Sequence, residues 1–175
     1  PGVPDTYQGS ELWNQSLVDP DNRRPVDYDL RRRYLADIRS KLGDRRSLIR
    51  ELLETYPDGR MKLFVLHMVL LLRKPDLFLR GDYRALSAGE HAVAFARAFE
   101  GQRLVCCVPR FCLGLMGGRS EFPLGPVWGD RTLEELEPGP YQDVFTGARR
   151  ELGAKSRLSE LFADFPLVLL SAEAA

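Results

Sequence analysis

The sequence predicts an α+β chain, a helical half followed by an antiparallel β half, and three changes of texture predict it. The first 28 residues are polar, studded with aromatic residues, and carry Pro1, Pro4, Pro20 and Pro25. From Asp29 onward apolar residues recur at helical spacing. After Gly81 they alternate at the period of a strand.

Pro20 and Pro25 each remove a backbone donor and disfavour helix in the preceding residue, so residues 1–28 read as a long loop. Loops of that length in compact proteins commonly carry function. Leu30, Tyr34, Ile38 and Leu42, with Leu35 beside them, predict a first helix that Gly43 stops. Asp44 is placed to cap a second, whose apolar face is Leu48, Ile49, Leu52, Leu53 and Tyr56. Pro57-Asp58-Gly59 breaks that helix. A third, over residues 60–73, is apolar on most sides and is expected to be the most buried element. Pro75 is expected to end it, with Leu77, Phe78 and Leu79 in a short turn.

Beyond Gly81, residues 83–86 and His91–Phe99 predict two strands. In the second, Val93, Phe95 and Phe99 share a face interrupted by Arg97, and alanines line the other. Glu100-Gly101-Gln102 fits a hairpin turn and Arg103–Phe111 a return strand, with Pro109 marking a sheet edge at its far end. Residues 114–127 read as Gly/Pro-rich loop, and Tyr141–Gly147 and Leu167–Ser171 as closing strands. Between those two strands, Leu158–Phe165 fits either a helical turn or a loop. The boundary falls at Gly81, giving domains 1–81 and 82–175.

Composition narrows the function classes. The chain of 175 residues is 44% apolar and 29% charged with zero formal net charge, so no global field favours nucleic acid or an anionic membrane. Between Arg23 and Arg50 basic residues outnumber acidic ones, which reads as the solvated side of amphipathic helices rather than a phosphate-tracking face. The most apolar run, Leu63 to Leu72, falls short of the ~20 residues a bilayer span needs. Cys106, Cys107 and Cys112 are odd in number, and no histidine stands near them in sequence to complete a zinc set. They read as buried or partly buried thiols in a reducing compartment, which points to the cytoplasm. His67 reads as a core histidine, and His91 has no acid or nucleophile beside it in sequence. No nucleophile elbow, phosphate loop or metal-ligand spacing occurs, so neither a cofactor nor a metal is expected.

The opening Pro1-Gly2-Val3-Pro4-Asp5-Thr6-Tyr7-Gln8-Gly9-Ser10-Glu11 resembles the G-x-P-x-x-Y-x-G-x-E signature at the eighth barrel strand of α-amylase-family enzymes. Its continuation, from Leu12-Trp13-Asn14 through Asp19-Pro20-Asp21-Asn22-Arg23-Arg24-Pro25 to Asp27-Tyr28, is similar to the maltooligosyltrehalose synthases of that family. Asp58-Gly59-Arg60-Met61-Lys62-Leu63, Leu77-Phe78-Leu79-Arg80-Gly81-Asp82-Tyr83 and Val144-Phe145-Thr146-Gly147 agree with it. The resemblance implies a (β/α)8 barrel whose last strand-loop and helices are residues 1–81, followed by a C-terminal antiparallel β domain. The start without Met, running straight into a dense motif, reads as a cut through something larger, with the rest of the barrel upstream as partner.

The resemblance further implies isomerisation of the reducing-end α-1,4 linkage of a maltooligosaccharide to an α,α-1,1 linkage, by a retaining two-step transfer between two carboxyl groups. No motif carrying the family's catalytic carboxylates occurs in this chain, so no catalytic residue is assigned and the chain alone is expected to be inactive. Sugar sites need flat apolar faces and planar polar groups. Tyr7 and Trp13 offer the first, and Gln8, Asp19, Asn22, Arg23 and Arg24 the second, on a loop at the sugar-facing end of such a barrel. Glu11 and Asp27 are expected to be structural. A non-catalytic carbohydrate-binding module and a purely structural β module are the alternatives.

Overall fold

Asp27 opens the first helix, its Oδ1 accepting the Leu30 amide at 2.8 Å, so α1 runs Tyr28–Lys41. The computed structural model describes residues 7–16, 23–72 and 75–172, and the chain divides into two units, Pro1–Leu72 and Arg73–Ala175. In the first unit Ile38 is the fully buried residue of α1, with Leu30, Tyr34 and Leu35 half-buried beside it. Gly43 does not stop α1 in the expected way. The chain passes through a right-handed 3-10 turn, Leu42–Asp44, and Gly43 takes no left-handed conformation. Asp44 does cap α2 (Arg45–Glu54), accepting the Ser47 amide at 3.2 Å, and Leu48, Ile49 and Leu52 are buried. Tyr56 falls beyond the helix, in the turn Tyr56–Asp58, and is exposed rather than part of that face.

Gly59, at φ +84°, turns the chain into α3 (Arg60–Leu71). Met61, Leu63, Phe64 and Met68 are buried, but Val69, Leu70 and Leu71 are exposed, so α3 is not buried along its length. His67 is half-buried, and burial together with the Arg39 charge lowers its pKa. Arg60 joins the three helices. Its Nη1 reaches Glu51 at 2.7 Å and Asp37 at 2.9 Å, its Nε reaches Asp58 at 2.7 Å, and Lys41 Nζ lies 2.9 Å from both Glu51 and Asp37. Hydrogen bonds from Lys41, then those from Arg60, hold the Asp37 and Glu51 carboxyls below their ordinary range.

In the second unit Pro75 begins a helix instead of ending one. The segment α4 (Pro75–Leu79) starts with the residue whose missing N–H costs a first turn nothing. The strands β1 (Asp82–Leu86), β2 (Ala92–Phe99) and β3 (Gln102–Pro109) follow as a meander. Glu100 (φ 46°) and Gly101 (φ 80°) form the left-handed two-residue hairpin between β2 and β3. After a helical turn α5 (Cys112–Leu115) come β4 (Thr132–Glu134), β5 (Gly139–Asp143), β6 (Arg149–Leu152), β7 (Lys155–Arg157), α6 (Leu158–Leu161) and β8 (Val168–Ala172). The antiparallel sheet has six strands in the order β1-β2-β3-β8-β5-β6, and β4 pairs with β7 separately. Pairing of β3 with β8 stops at Cys107↔Val168, so Pro109 sits where β3 has no neighbour on that side, the expected edge. Strand β5 ends at Asp143, earlier than expected, because the Asp143 carboxylate accepts the Phe145 and Thr146 amides, both at 3.0 Å, and turns the chain.

The alanine side of β2 is the buried side. Ala92 and Ala94 join Val105, Cys107, Leu170, Trp128 and Phe162 in one core, with the Trp128 and Phe162 rings stacked at 4.5 Å. Arg97 interrupts the outer face because it closes α4: its Nη2 donates to the carbonyls of Leu77, Phe78 and Gly81. Gly81 is required there, since a Cβ would stand 2.3 Å from the Leu77 oxygen. Cys107 is buried and Cys106 and Cys112 half-buried, all as free thiols, with burial pushing Cys106 up to about 11 and Cys107 to about 12.

Arg60→Leu should destabilise the helical unit by about 2–3 kcal/mol at pH 7, since it strips charged hydrogen bonds from partly buried carboxylates. Asp37 and Glu51 have depressed folded pKa values, so their contribution is present above the ordinary carboxylate range and lost as pH falls through the folded values. The gap between variant and parent in urea denaturation should therefore shrink below pH ~4. A gap unchanged between pH 7 and pH 3 would show that ionic pairing is not its source.

Candidate functional site

The candidate site is the loop layer of the first unit, residues 7–16 and 23–27, built on the start of α1. Gly9 makes it possible: its φ of +87° turns the chain, and a Cβ there would come 3.0 Å from Val26. Arg31, one turn into α1, reaches back toward the helix N-terminus as helical side chains do. It donates to Glu11 Oε2 at 2.8 Å, the Gly9 carbonyl at 2.7 Å and the Asp27 carbonyl at 3.0 Å. One guanidinium thus closes both halves of the loop onto the helix. Burial, the largest influence on Glu11, pushes its carboxyl up, but Arg31 and nearby amides together pull it below its ordinary range. Glu11 thus ties the loop to α1, and Asp27 caps the helix while also lining the cleft.

Trp13 is set against the helices. Its Nε1 donates to the Tyr56 carbonyl, Lys62 Nζ lies 5.9 Å from the ring, and Lys62 also reaches the Leu12 carbonyl at 3.2 Å. Gly59 admits this approach, because a Cβ would come 3.0 Å from both Leu12 Cβ and the Trp13 nitrogen. The indole nevertheless remains 48% exposed, which leaves ring surface open to a ligand. Tyr28 donates its hydroxyl to Gln8 Oε1 at 3.2 Å and so orients the amide. Asn14 Oδ1 accepts from both the amide and the hydroxyl of Ser16.

These residues surround a polar cleft of about 210 Å³ lined by Gln8, Gly9, Trp13, Asn14, Ser16, Arg24, Pro25, Val26, Asp27 and Arg31. Of the residues singled out from sequence, Gln8, Trp13 and Arg24 meet there. Tyr7 and Arg23 are exposed outside its wall. Asp19 and Asn22 lie outside the described residues. Arg31, Asn14 and Lys62 were not anticipated. The basic bias of residues 23–50 makes Arg31 look like part of a solvated face, although its position four residues after the cap Asp27 already aims it at the loop. No cluster of three His, Cys, Asp or Glu side chains among the described residues is placed to hold a metal ion, and no described helix is long and apolar enough to cross a membrane.

Arg31→Ala removes three bonds that tie the loop to α1. Amide exchange at residues 9–13 should quicken by at least about ten-fold, the equivalent of one charged hydrogen bond. Exchange in β2, β3 and β8 serves as the internal control. Equal rates in loop and control would show that Arg31 does not hold the loop.

No family model matches the chain, and no solved structure matches it. Two curated relatives do, both named "Putative maltooligosyl trehalose synthase", from Mycobacterium tuberculosis strains CDC 1551 / Oshkosh and ATCC 25618 / H37Rv. Each is 38% identical over 97% of this chain. The chain spans 19% of the length of these relatives, about a fifth. Along nearly all of its own length, this chain is similar to part of a maltooligosyl trehalose synthase.

Proposed function

We propose that this chain is the C-terminal part of a maltooligosyltrehalose synthase, an isomerase that moves the reducing-end glucose of a maltooligosaccharide from an α-1,4 to an α,α-1,1 linkage in trehalose biosynthesis. Its residues 1–81 supply the loop and helices that complete an α-amylase-type (β/α)8 barrel, and residues 82–175 the C-terminal β domain. The observation that carries this reading is the identity along 97% of the chain to proteins of that name. The loop cleft supports it. A partly open indole, an oriented amide and a guanidinium stand around one polar hollow, the groups a pyranose ring requires.

In this reading the catalytic carboxylates belong to the remainder of the polypeptide. The role of the loop before α1 is to grip the glucose that is released and must turn before water attacks. Tyr7, Gln8, Trp13, Asp19, Asn22, Arg23 and Arg24 are the proposed sugar contacts, and no nucleic acid or membrane is involved. The free thiols fit a reducing, cytoplasmic setting.

The chain by itself should neither isomerise nor hydrolyse maltopentaose, and chromatography of a concentrated incubation tests this. Trehalose-ended product above a heat-killed control would overturn the placement of the carboxylates. In a polypeptide that joins this chain to the rest of a synthase, Arg23→Ala should raise hydrolysis relative to trehalose formation. Loss of one charged hydrogen bond, roughly 1.5–3 kcal/mol, changes the partition by about ten- to hundred-fold. A lower melting temperature with an unchanged product ratio would make Arg23 structural.

A further inference from the structure

The second unit contains a cleft of its own, about 220 Å³, which the loop reading does not use. Its origin is the side-chain size along β2. In the register of the sheet, Asp82 of β1, Ala98 of β2 and Arg103 of β3 form one cross-strand row, and Arg84, Ala96 and Val105 form the next. These rows lie on the inner face, where Ala92 and Ala94 are buried in one core with the stacked Trp128 and Phe162. Toward Ala96 and Ala98 the two methyl groups leave a trough between the side chains of β1 and those of β3. Neighbouring strands are ~4.8 Å apart, so the trough is about two strand spacings wide. The segment with Leu136, Glu137 and Tyr141 bounds it from the other side.

The walls are chemically mixed. Arg84 enters from β1, with Nη1 donating to the Glu135 carbonyl at 2.8 Å and its remaining donors uncommitted by that bond. Arg103 enters from β3, its guanidinium 5.4 Å from the centre of the Tyr141 ring. Its Nη1 pairs with Glu137 Oε1 at 2.8 Å, and both residues belong to the wall of the trough. Glu137 is itself 61% exposed, a partner easily drawn aside. Asp82 and Glu137 balance Arg84 and Arg103 in charge, while the third arginine of the lining, Arg97, holds its Nη2 on the carbonyls of Leu77, Phe78 and Gly81. A fully charged anion would therefore gain from the arginines and lose to the carboxylates.

We infer that this trough binds a single saccharide ring, its hydroxyls accepting from Arg84 and Arg103 and donating to Asp82 and Glu137, its apolar edge on the Ala96 and Ala98 methyls. A hydroxyl both donates and accepts, which suits a neutral wall of alternating guanidinium and carboxylate better than phosphate or a carboxylic acid does. The volume is below the usual range of pockets for larger ligands, which limits the occupant to about one ring. All the residues involved lie in the second unit, and the inference does not depend on the loop cleft or on the proposed synthase activity.

Titration of the isotope-labelled 175-residue chain with maltose, followed by amide NMR, reads the trough directly. Saturable shifts are expected at residues 84, 96–98, 103 and 137. Arg84→Ala, at an exposed side chain, should weaken them by at least about ten-fold, the loss of one charged hydrogen bond. Ala98→Leu, which fills the trough, should abolish them. If the leucine variant loses its dispersed spectrum, the Arg84 variant alone decides. The inference is overturned if maltose at high millimolar concentration moves no trough amide. Shifts confined to residues 8–14 overturn it too, as does inorganic phosphate displacing maltose from the trough. Shifts that persist unweakened in the Arg84 variant have the same consequence.

Discussion

Backbone carbonyls and carboxylates that turns leave unpaired must find donors, and in this chain arginine supplies them. Arg31 gathers two carbonyls and a carboxylate where the loop meets α1. Arg60 gathers three carboxylates where α1, α2 and α3 meet. Arg97 gathers three carbonyls at the end of α4. A guanidinium can do this because it presents five donors in a fixed plane and does not lose its charge. Arg31 and Arg97 sit on a regular helix or strand and reach toward irregular backbone, while Arg60 ties helix to helix and to the Asp58 turn. The cleft of the first unit exists because Arg31 fixes one side of it and the Trp13–Tyr56 bond the other.

The β unit is governed by a matching of sizes. Stacked Trp128 and Phe162 take up much of the core, and the small buried alanines of β2 leave them room in it. The Trp128 indole also finds the Pro123 carbonyl at 2.7 Å, so the largest core side chain leaves no polar atom unpaired. Farther along β2 the alanines continue with Ala96 and Ala98, and the space becomes a polar trough. One pattern in β2 therefore runs from the packed core into an open hollow of that unit.

Much of this was legible in the sequence, and the reasons for the rest are physical. Asp27 and Asp44 announce helix starts, since a short acceptor before an apolar period can do little else there. Glu100-Gly101 announces a hairpin, and Pro109 an edge. Gly43 misled because glycine stops a helix only when the chain needs a left-handed turn, and here Asp44 restarts a helix immediately. The short strands β4, β6 and β7 were invisible because three or four residues such as Lys155-Ser156-Arg157 carry no apolar alternation, and tertiary pairing alone makes them strands. Which face of β2 is buried was also not legible. Phenylalanine and valine look like the core face until Trp128 and Phe162, distant in sequence, claim the alanine side. In the candidate site, Gln8, Trp13 and Arg24 were readable as polar and flat groups on one loop. Arg31 was hidden in a helix, where spacing suggests solvent and only the backward lean of the side chain says otherwise.

The position of β8 sets an order of events. It follows the other strands in sequence yet lies between β3 and β5, hydrogen-bonded to both. Until it arrives, the meander of β1 to β3 and the hairpin of β5 and β6 are separate pieces, each with an open ladder of amides and carbonyls facing the gap. The keystone comes late, because pairing Cys107 with Val168 must close a long loop before any bond repays it. On a ribosome this unit would emerge as two unfinished halves and become one sheet when its final strand slides in between them.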